Sequence, residues 1–312
     1  MRLRAAGGRP ASHRCHDVGA VMTPAQHRSL RVLVAEDHPV NQRLVGYVLK
    51  ERGHSFALVA NGLEALELHA RDPFDVILMD GQMPEMDGYA ATREIRRREQ
   101  ATGEHIHIIA VTANASKEDR QVCLDAGMDD YIAKPIDPDL LFDMLEFRSR
   151  HLAQPQPQPQ LIVSAVNPAV TPEPGTVESH YPESVMQDFN EHTALERVRG
   201  KKPFLGQLTA MFMAELPKIM RDIAHAAVAE DTRDLERLAH RLRGAAITVS
   251  GELLANAAAR LERLAAQGSL DGAVTILQQL EQHAANLCGQ LEAFQATTRS
   301  TQSPSAVPGK PA

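Results

Sequence analysis

Five short apolar runs, spread over residues 30–150 and separated by stretches of helical period, constrain this chain more than any other feature. Val32, Leu33, Val34 and Ala35 form the first run, which ends abruptly in Glu36-Asp37. Others fall at Phe56–Val59, Val76–Met79 and Ile108–Val111, with a weaker one near Tyr131-Ile132. Between them apolar residues recur at helical spacing, as in Val40, Leu44, Val45, Val48 and Leu49. Apolar runs this short, alternating with amphipathic helices, predict an α/β unit: a five-stranded parallel, doubly wound sheet covered on both faces.

The character changes after residue 150. Residues 151–183 contain QPQPQPQ and then NPAVTPEPG. Proline removes backbone donors and resists helix, so the spacing predicts an extended, semi-rigid linker. Beyond it strand signals vanish. Helices are expected near 204–215, 216–229, 232–249, 251–267 and 270–295, forming an all-α antiparallel bundle over 184–295. Residues 1–29 are rich in Arg, Gly and Ala and read as a disordered extension or an over-extended translation start. Residues 296–312 read as a disordered polar tail. Two independently folding units on a flexible tether are expected.

Composition narrows the function. A net charge of −7 leaves no basic footprint for nucleic acid. Aromatics are 4% with no Trp, which argues against a stacking platform for bases or sugars. Cys15, Cys123 and Cys288 are far apart and form no CxxC pair, against a zinc site or a disulfide framework and for a reducing compartment. No apolar run approaches the roughly 20 residues of a membrane helix, and no signal-peptide pattern appears. A cytoplasmic protein without membrane insertion is expected.

Ligands of an open parallel sheet bind outside the carboxyl ends of its strands. At those ends stand Glu36-Asp37, Asp80, Thr112 and Lys134-Pro135. Side by side, they would bring three carboxylates, one hydroxyl and one ammonium into a single site. Carboxylates so close repel unless a cation sits among them. An all-oxygen set with open positions suits Mg²⁺. An Asp carboxylate can act as nucleophile and form an aspartyl phosphate, with Lys134 and the metal offsetting charge on a phosphoryl group in flight. Thr112 can hydrogen-bond a phosphate oxygen.

The string DVILMDGQMPEMDGYAATREIR, preceded by VLVAEDHPVNQ and followed by VTANA and YIAKP, resembles a response-regulator receiver domain of the class attached to hybrid sensor kinases. The resemblance implies that Asp80 is the phosphoacceptor and that Glu36, Asp37 and the Gln82 backbone carbonyl help bind Mg²⁺. It also implies that Thr112 and Lys134 sense the phosphate and that Tyr131 is the switch aromatic.

A second site lies near 232–249. Leu235, Leu238, Ala239, Leu242, Ala245, Ala246 and Val249 share one stripe of that helix. At about 100° per residue, His240 points about 160° from the middle of the stripe, an orientation that predicts a solvent-facing imidazole. Gly244 follows one turn later, at a cost of about 1 kcal/mol against Ala, which suggests access for a partner's active site. A neutral imidazole can attack an aspartyl phosphate, and neighbouring Arg charges can steady its oxygens. Glu262, on the next helix, is either an orienting acceptor for the imidazole or an ordinary surface charge.

The segment AHRLRGAAITVSGELLANAAARLE resembles the histidine phosphotransfer (HPt) domain, whose usual pattern is A-H-x-L-K-G-x-A; Arg243 stands where Lys is usual. The resemblance implies phosphorylation of His240, with Arg243 and Gly244 around it. Nucleotide-binding boxes and GxxxxGK[ST] are not found, nor is a helix-turn-helix. The expectation is a phosphoryl carrier rather than an enzyme, partnered by a sensor histidine kinase and a downstream response-regulator receiver. Alternatives are the C-terminal piece of a hybrid sensor histidine kinase and an interaction scaffold with vestigial chemistry. The intact Asp80, Thr112, Lys134 and His240 count against the scaffold.

Overall fold

The computed structural model describes residues 28–112, 117–153 and 187–300. The N-terminal extension up to 27, the linker from 154 to 186 and the tail past 300 lie outside the described residues.

Five strands, β1 (Arg31–Ala35), β2 (Ser55–Val59), β3 (Val76–Asp80), β4 (His107–Thr112) and β5 (Asp130–Ala133), form one parallel sheet in the order β2-β1-β3-β4-β5. Helices α1 (Pro39–Glu51), α2 (Gly62–Arg71), α3 (Gly88–Thr102), α4 (Lys117–Asp125) and α5 (Pro138–Ala153) connect and follow the strands. Alternate residues of β1 feed opposite cores, as a two-sided sheet demands. Val32 and Val34 join Leu44 and Leu145 on one face, while Leu33 and Ala35 join Ala91 and Ile95 on the other. Strand order reverses between β1 and β3, and that switch point opens a crevice at the carboxyl ends. Local chemistry fixes the helix starts: His38 Nδ1 accepts from Val40 N at 3.2 Å ahead of Pro39, and Asp87 Oδ1 accepts from Ala90 N at 2.6 Å.

The second unit is all-helical: α6 (Glu191–Arg197), α7 (Lys202–Val228), α8 (Thr232–Thr248), α9 (Glu252–Ala266) and α10 (Ala273–Ser300). It departs from the sequence reading in three places. One helix, α7, replaces the two expected around Pro217. Proline forgoes one backbone bond, but buried Phe212, Leu216, Ile219 and Ile223 continue one stripe across it, and packing holds the helix together. The short α6 was not expected; Asn190 Oδ1 caps it by accepting from Thr193 N at 3.1 Å. Helix α10 runs to Ser300 rather than ending at 295. Its Thr297 and Thr298 hydroxyls donate to the Ala293 and Phe294 carbonyls at 3.0 and 2.9 Å, so a polar sequence there still supports helix.

The two units pack together. Tyr47 on α1 stacks on Phe204 of α7 with centroids 3.8 Å apart and planes 20° from parallel. The Arg43 guanidinium lies over the Phe204 ring, 5.7 Å from its centroid, and donates to Gln207 Oε1 at 3.1 Å. Arg199 pairs with Asp139 and stands 4.9 Å from the Phe142 ring centroid. Such an aromatic pair is worth about 0.5–1.5 kcal/mol beyond its buried area. Phe204→Ala should therefore enlarge the radius of gyration of the full chain in small-angle scattering at nearly constant helix content. An unchanged radius would show that the stack does not hold the units together.

Candidate functional site

Glu36 and Asp37 directly follow β1, Asp80 ends β3, Thr112 ends β4 and Lys134 follows β5. The strand order brings all five to one cleft. The Lys134 Nζ lies 2.8 Å from Glu36 Oε2 and 2.6 Å from Asp80 Oδ2. Carboxylate oxygens of Glu36, Asp37 and Asp80 lie within 4.8 Å of one another. The Gln82 backbone N–H donates to Asp80 Oδ1 at 3.3 Å, and its buried side-chain Oε1 finds no partner among the described residues. Thr112 lines the cleft beside Asp80 and Gln82. Tyr131 does not: it packs against the core behind the sheet, with the Arg120 guanidinium 5.6 Å from its centroid.

The bundle supplies the opposite wall. His240 and Glu262 line the same cleft as Asp80, an opening of about 350 Å³. His240 Nδ1 is 2.8 Å from Glu262 Oε1, whose other oxygen accepts from Arg243 Nη1 at 2.9 Å. The imidazole Nε2 is buried and finds no hydrogen-bond partner among the described residues. His240 is only 7% exposed, against the expected solvent-facing position. Helical periodicity sorted residues only against the bundle's own core; the α/β unit covers the opposite face. Gly244 and Thr248, one and two turns along, are buried on that face too. A Cβ at Gly244 would lie 3.4 Å from Asn41 Nδ2 and 4.0 Å from Lys134 Nζ, ordinary contact distances that leave room for a methyl group but not for a large side chain. His192 and His225 are exposed and stand away from the cleft.

Burial and countercharge set the protonation states. Burial pushes Glu36 up, but Lys134 and the Asn41 amide outweigh it and hold Glu36 below the usual carboxylate range. Burial raises Asp80, with Lys134 opposing and Glu36 adding to the rise. Asp37 is pushed up to about 7 by burial and then by Glu36 and Asp80, with Arg241 and Lys134 opposing. Burial lowers Lys134, but its two carboxylate partners more than reverse this, keeping it protonated. Burial raises Glu262, but His240 and then Arg243 bring it below its ordinary value, so it stays an acceptor. The cluster thus carries more negative charge than its neighbours neutralise, and its all-oxygen donor set fits a hard divalent cation.

Several residues that build the site escaped the sequence reading. Asn41 Nδ2 donates to Glu36 Oε1 at 2.9 Å, while its Oδ1 accepts from Thr248 Oγ1 of the bundle at 2.6 Å. A Cβ at Gly88 would stand 2.0 Å from the Asp80 carbonyl oxygen, and one at Gly81 would stand 2.6 Å from the Tyr89 hydroxyl. The Asp87-Gly88 pair signalled only a turn; its second role, letting α3 start against the Asp80 backbone, has no local signature.

Two family models match the chain: the response regulator receiver domain over residues 32–146 and the Hpt domain over residues 207–297. Sensor histidine kinase GacS of Pseudomonas protegens is 32% identical over 221 residues, covering 70% of this chain and 22% of the relative. BarA, a signal transduction histidine-protein kinase of Escherichia coli, is 29% identical over 237 residues, covering 74% of this chain and 24% of the relative. Among solved structures, the receiver domain of a Pseudomonas aeruginosa sensor histidine kinase, with a magnesium ion in its active-site cleft, is 42% identical. That match covers 39% of this chain and 99% of the solved one, with a TM-score of 0.37.

The chain carries a response regulator receiver domain followed by an Hpt domain, the domain types of two-component phosphorelays. It is similar to the C-terminal parts of the hybrid sensor kinases GacS and BarA, and its match spans about a quarter of their length. Among the described residues no helix is long and apolar enough to cross a membrane.

Asp37 yields a pH prediction. Its carboxyl rises from 3.8 to about 7 in the fold, so its contribution to stability is full below 3.8 and lost as pH climbs to about 7. A divalent cation needs the ionised form, so its apparent affinity should rise up to about tenfold per pH unit below 7 and level off above. Calorimetric titration across that range checks this, and a pH-independent affinity would contradict it.

Proposed function

We propose that this protein is a phosphoryl carrier that accepts phosphate on Asp80 of its receiver and passes it to or from His240 of its Hpt domain. The observation that carries this reading is the shared cleft: Asp80 stands on one wall, and on the other an imidazole has Nδ1 held by Glu262 and Nε2 unpartnered. Glu262, as an acceptor, selects the tautomer with hydrogen on Nδ1 and leaves the Nε2 lone pair for attack.

In the forward half-reaction, an Asp80 carboxylate oxygen attacks the phosphorus of a donor phosphohistidine or of a small acyl phosphate. The new P–O bond forms as the donor's bond to phosphorus breaks. In the relay step, His240 Nε2 attacks that phosphorus, a P–N bond forms, and the Asp80 carboxylate leaves with the electron pair of the P–O bond. The Nδ1 proton stays between the ring and Glu262, whose charge stabilises the cationic imidazole. Lys134 offsets charge at Asp80, and Thr112 donates to a phosphoryl oxygen. Glu36, Asp37, Asp80 and the Gln82 carbonyl would hold Mg²⁺, which when bound neutralises phosphoryl oxygens. Tyr131 acts as the switch aromatic that follows Thr112. The upstream partner is a sensor histidine kinase and the downstream one another receiver. The alternative, that this chain is the C-terminal piece of a hybrid sensor kinase, draws on relatives of which it spans only about a quarter. Coding sequence upstream of the reading frame decides it.

With acetyl phosphate and Mg²⁺, wild type should take label on Asp80, and Asp80→Asn should take none. His240→Gln should hold label on Asp80 but pass none to a third-party receiver; wild-type relay by this variant would end the assignment. Mixing His240→Gln with Asp80→Asn chains scores transfer between molecules, since label on His240 then has crossed chains.

Gly244→Leu should slow transfer by about 100-fold, because displacing reactants by roughly 1 Å costs that much. Gly244→Ala adds only an ordinary contact to Asn41 and should transfer at a near-native rate. Stopped quench-flow on both variants, with circular dichroism as the folding control, separates the outcomes.

A further inference from the structure

Helix α8 does more than present His240. It touches the ring of metal-ligand candidates at two other points. Arg241 sets its Nε 3.5 Å from Asp37 Oδ2, with the two side chains 22% and 7% exposed. Thr248 donates to Asn41, which in turn holds Glu36. Two of the three clustered carboxylates are thus contacted by the Hpt domain, one through charge and one through a hydrogen-bond chain.

We propose that Hpt docking and divalent-cation binding oppose each other in the unphosphorylated chain, with Arg241 as the coupling residue. This rests on the reading of Glu36, Asp37 and Asp80 as the cation site and adds its regulation. In the docked chain the three carboxylates already face two side-chain cations, Lys134 and Arg241. A divalent cation entering there meets like charge on the far side of Asp37, in a desolvated cleft where charges are poorly screened. Phosphorylation changes the sum. A dianionic phosphoryl group replaces the single charge of the Asp80 carboxylate, and the cation, Lys134 and Arg241 then have matching negative charge. Docking with metal bound is therefore favoured by the phosphoryl group itself, so the Hpt domain engages the loaded receiver and releases the spent, metal-bound one. Linkage makes this reciprocal: whatever Arg241 does to cation affinity, the cation does to docking.

The test is Mg²⁺ binding to the unphosphorylated full-length chain, by calorimetry and by competition with Mn²⁺ followed by electron paramagnetic resonance. Arg241→Gln should bind the cation about tenfold more tightly than wild type, within the usual 5- to 150-fold span of coupled sites. Arg241→Lys keeps the charge and should remain near wild type. Arg233→Gln removes the same charge from an exposed site in the first turn of the same helix and should also leave affinity unchanged. Equal or weaker binding by Arg241→Gln overturns the coupling, as does an equal gain from Arg233→Gln, which would make it a net-charge effect. If no chain binds Mg²⁺, the cation-site reading falls as well. Asp80 labelling with normal relay alongside unchanged cation affinity would leave the phosphorelay standing and remove only this inference.

Discussion

A buried ammonium between two buried carboxylates is the contact on which the rest of the structure depends. Lys134, arriving after the last strand, reaches Glu36 after the first and Asp80 at the end of the third. Burying ions costs several kcal/mol each unless paired and hydrogen-bonded, so this contact forms only if the sheet places three strand ends together. The strand order β2-β1-β3-β4-β5 meets that requirement by making β1 and β3 neighbours and leaving only β4 between β3 and β5. Among the described residues, the ion pair that Asp37 makes is with Arg241 of the other domain.

Most of the α/β unit was legible in the sequence. Its strands are short runs with both faces apolar, and its site residues stand at the ends of those runs, where topology must gather them. Glu36, Asp37, Asp80, Thr112 and Lys134 therefore emerged as a set. Features that depend on something other than local pattern did not. Helix α7 crosses Pro217 because its buried stripe is continuous, which a proline rule cannot weigh. The end of α10 rests on threonine hydroxyls bonding back to the helix, and to a composition reading these look like a disordered tail. Gly88 signals a turn in sequence, whereas in space it keeps a Cβ out of the way of the Asp80 backbone.

His240 marks the boundary of single-domain reasoning. Periodicity sets it opposite the bundle's apolar stripe, on the side that a lone bundle would turn to solvent. The opposite face of α8 is instead a second buried surface, in which Gly244 and Thr248 are as covered as the histidine. An amphipathic helix with one polar face and one small residue per turn on that face fits a helix packed against another protein surface as well as one facing water. Only the coordinates of the neighbouring unit distinguish them. Asn41 shows the same limit from the other side: its two amide atoms divide between Glu36 of its own domain and Thr248 of the next.

The stacking of Tyr47 on Phe204 has a consequence for how such a chain can change over generations. A substitution at either ring is felt by a residue more than one hundred and fifty positions away, in the other domain. The two domains are therefore matched at their surfaces, however far apart they stand in the sequence. A recombination event that exchanged the helical half for a bundle without an aromatic ring at the position of Phe204 would leave Tyr47 with nothing to stack on. The heritable unit in this protein is the matched pair of faces.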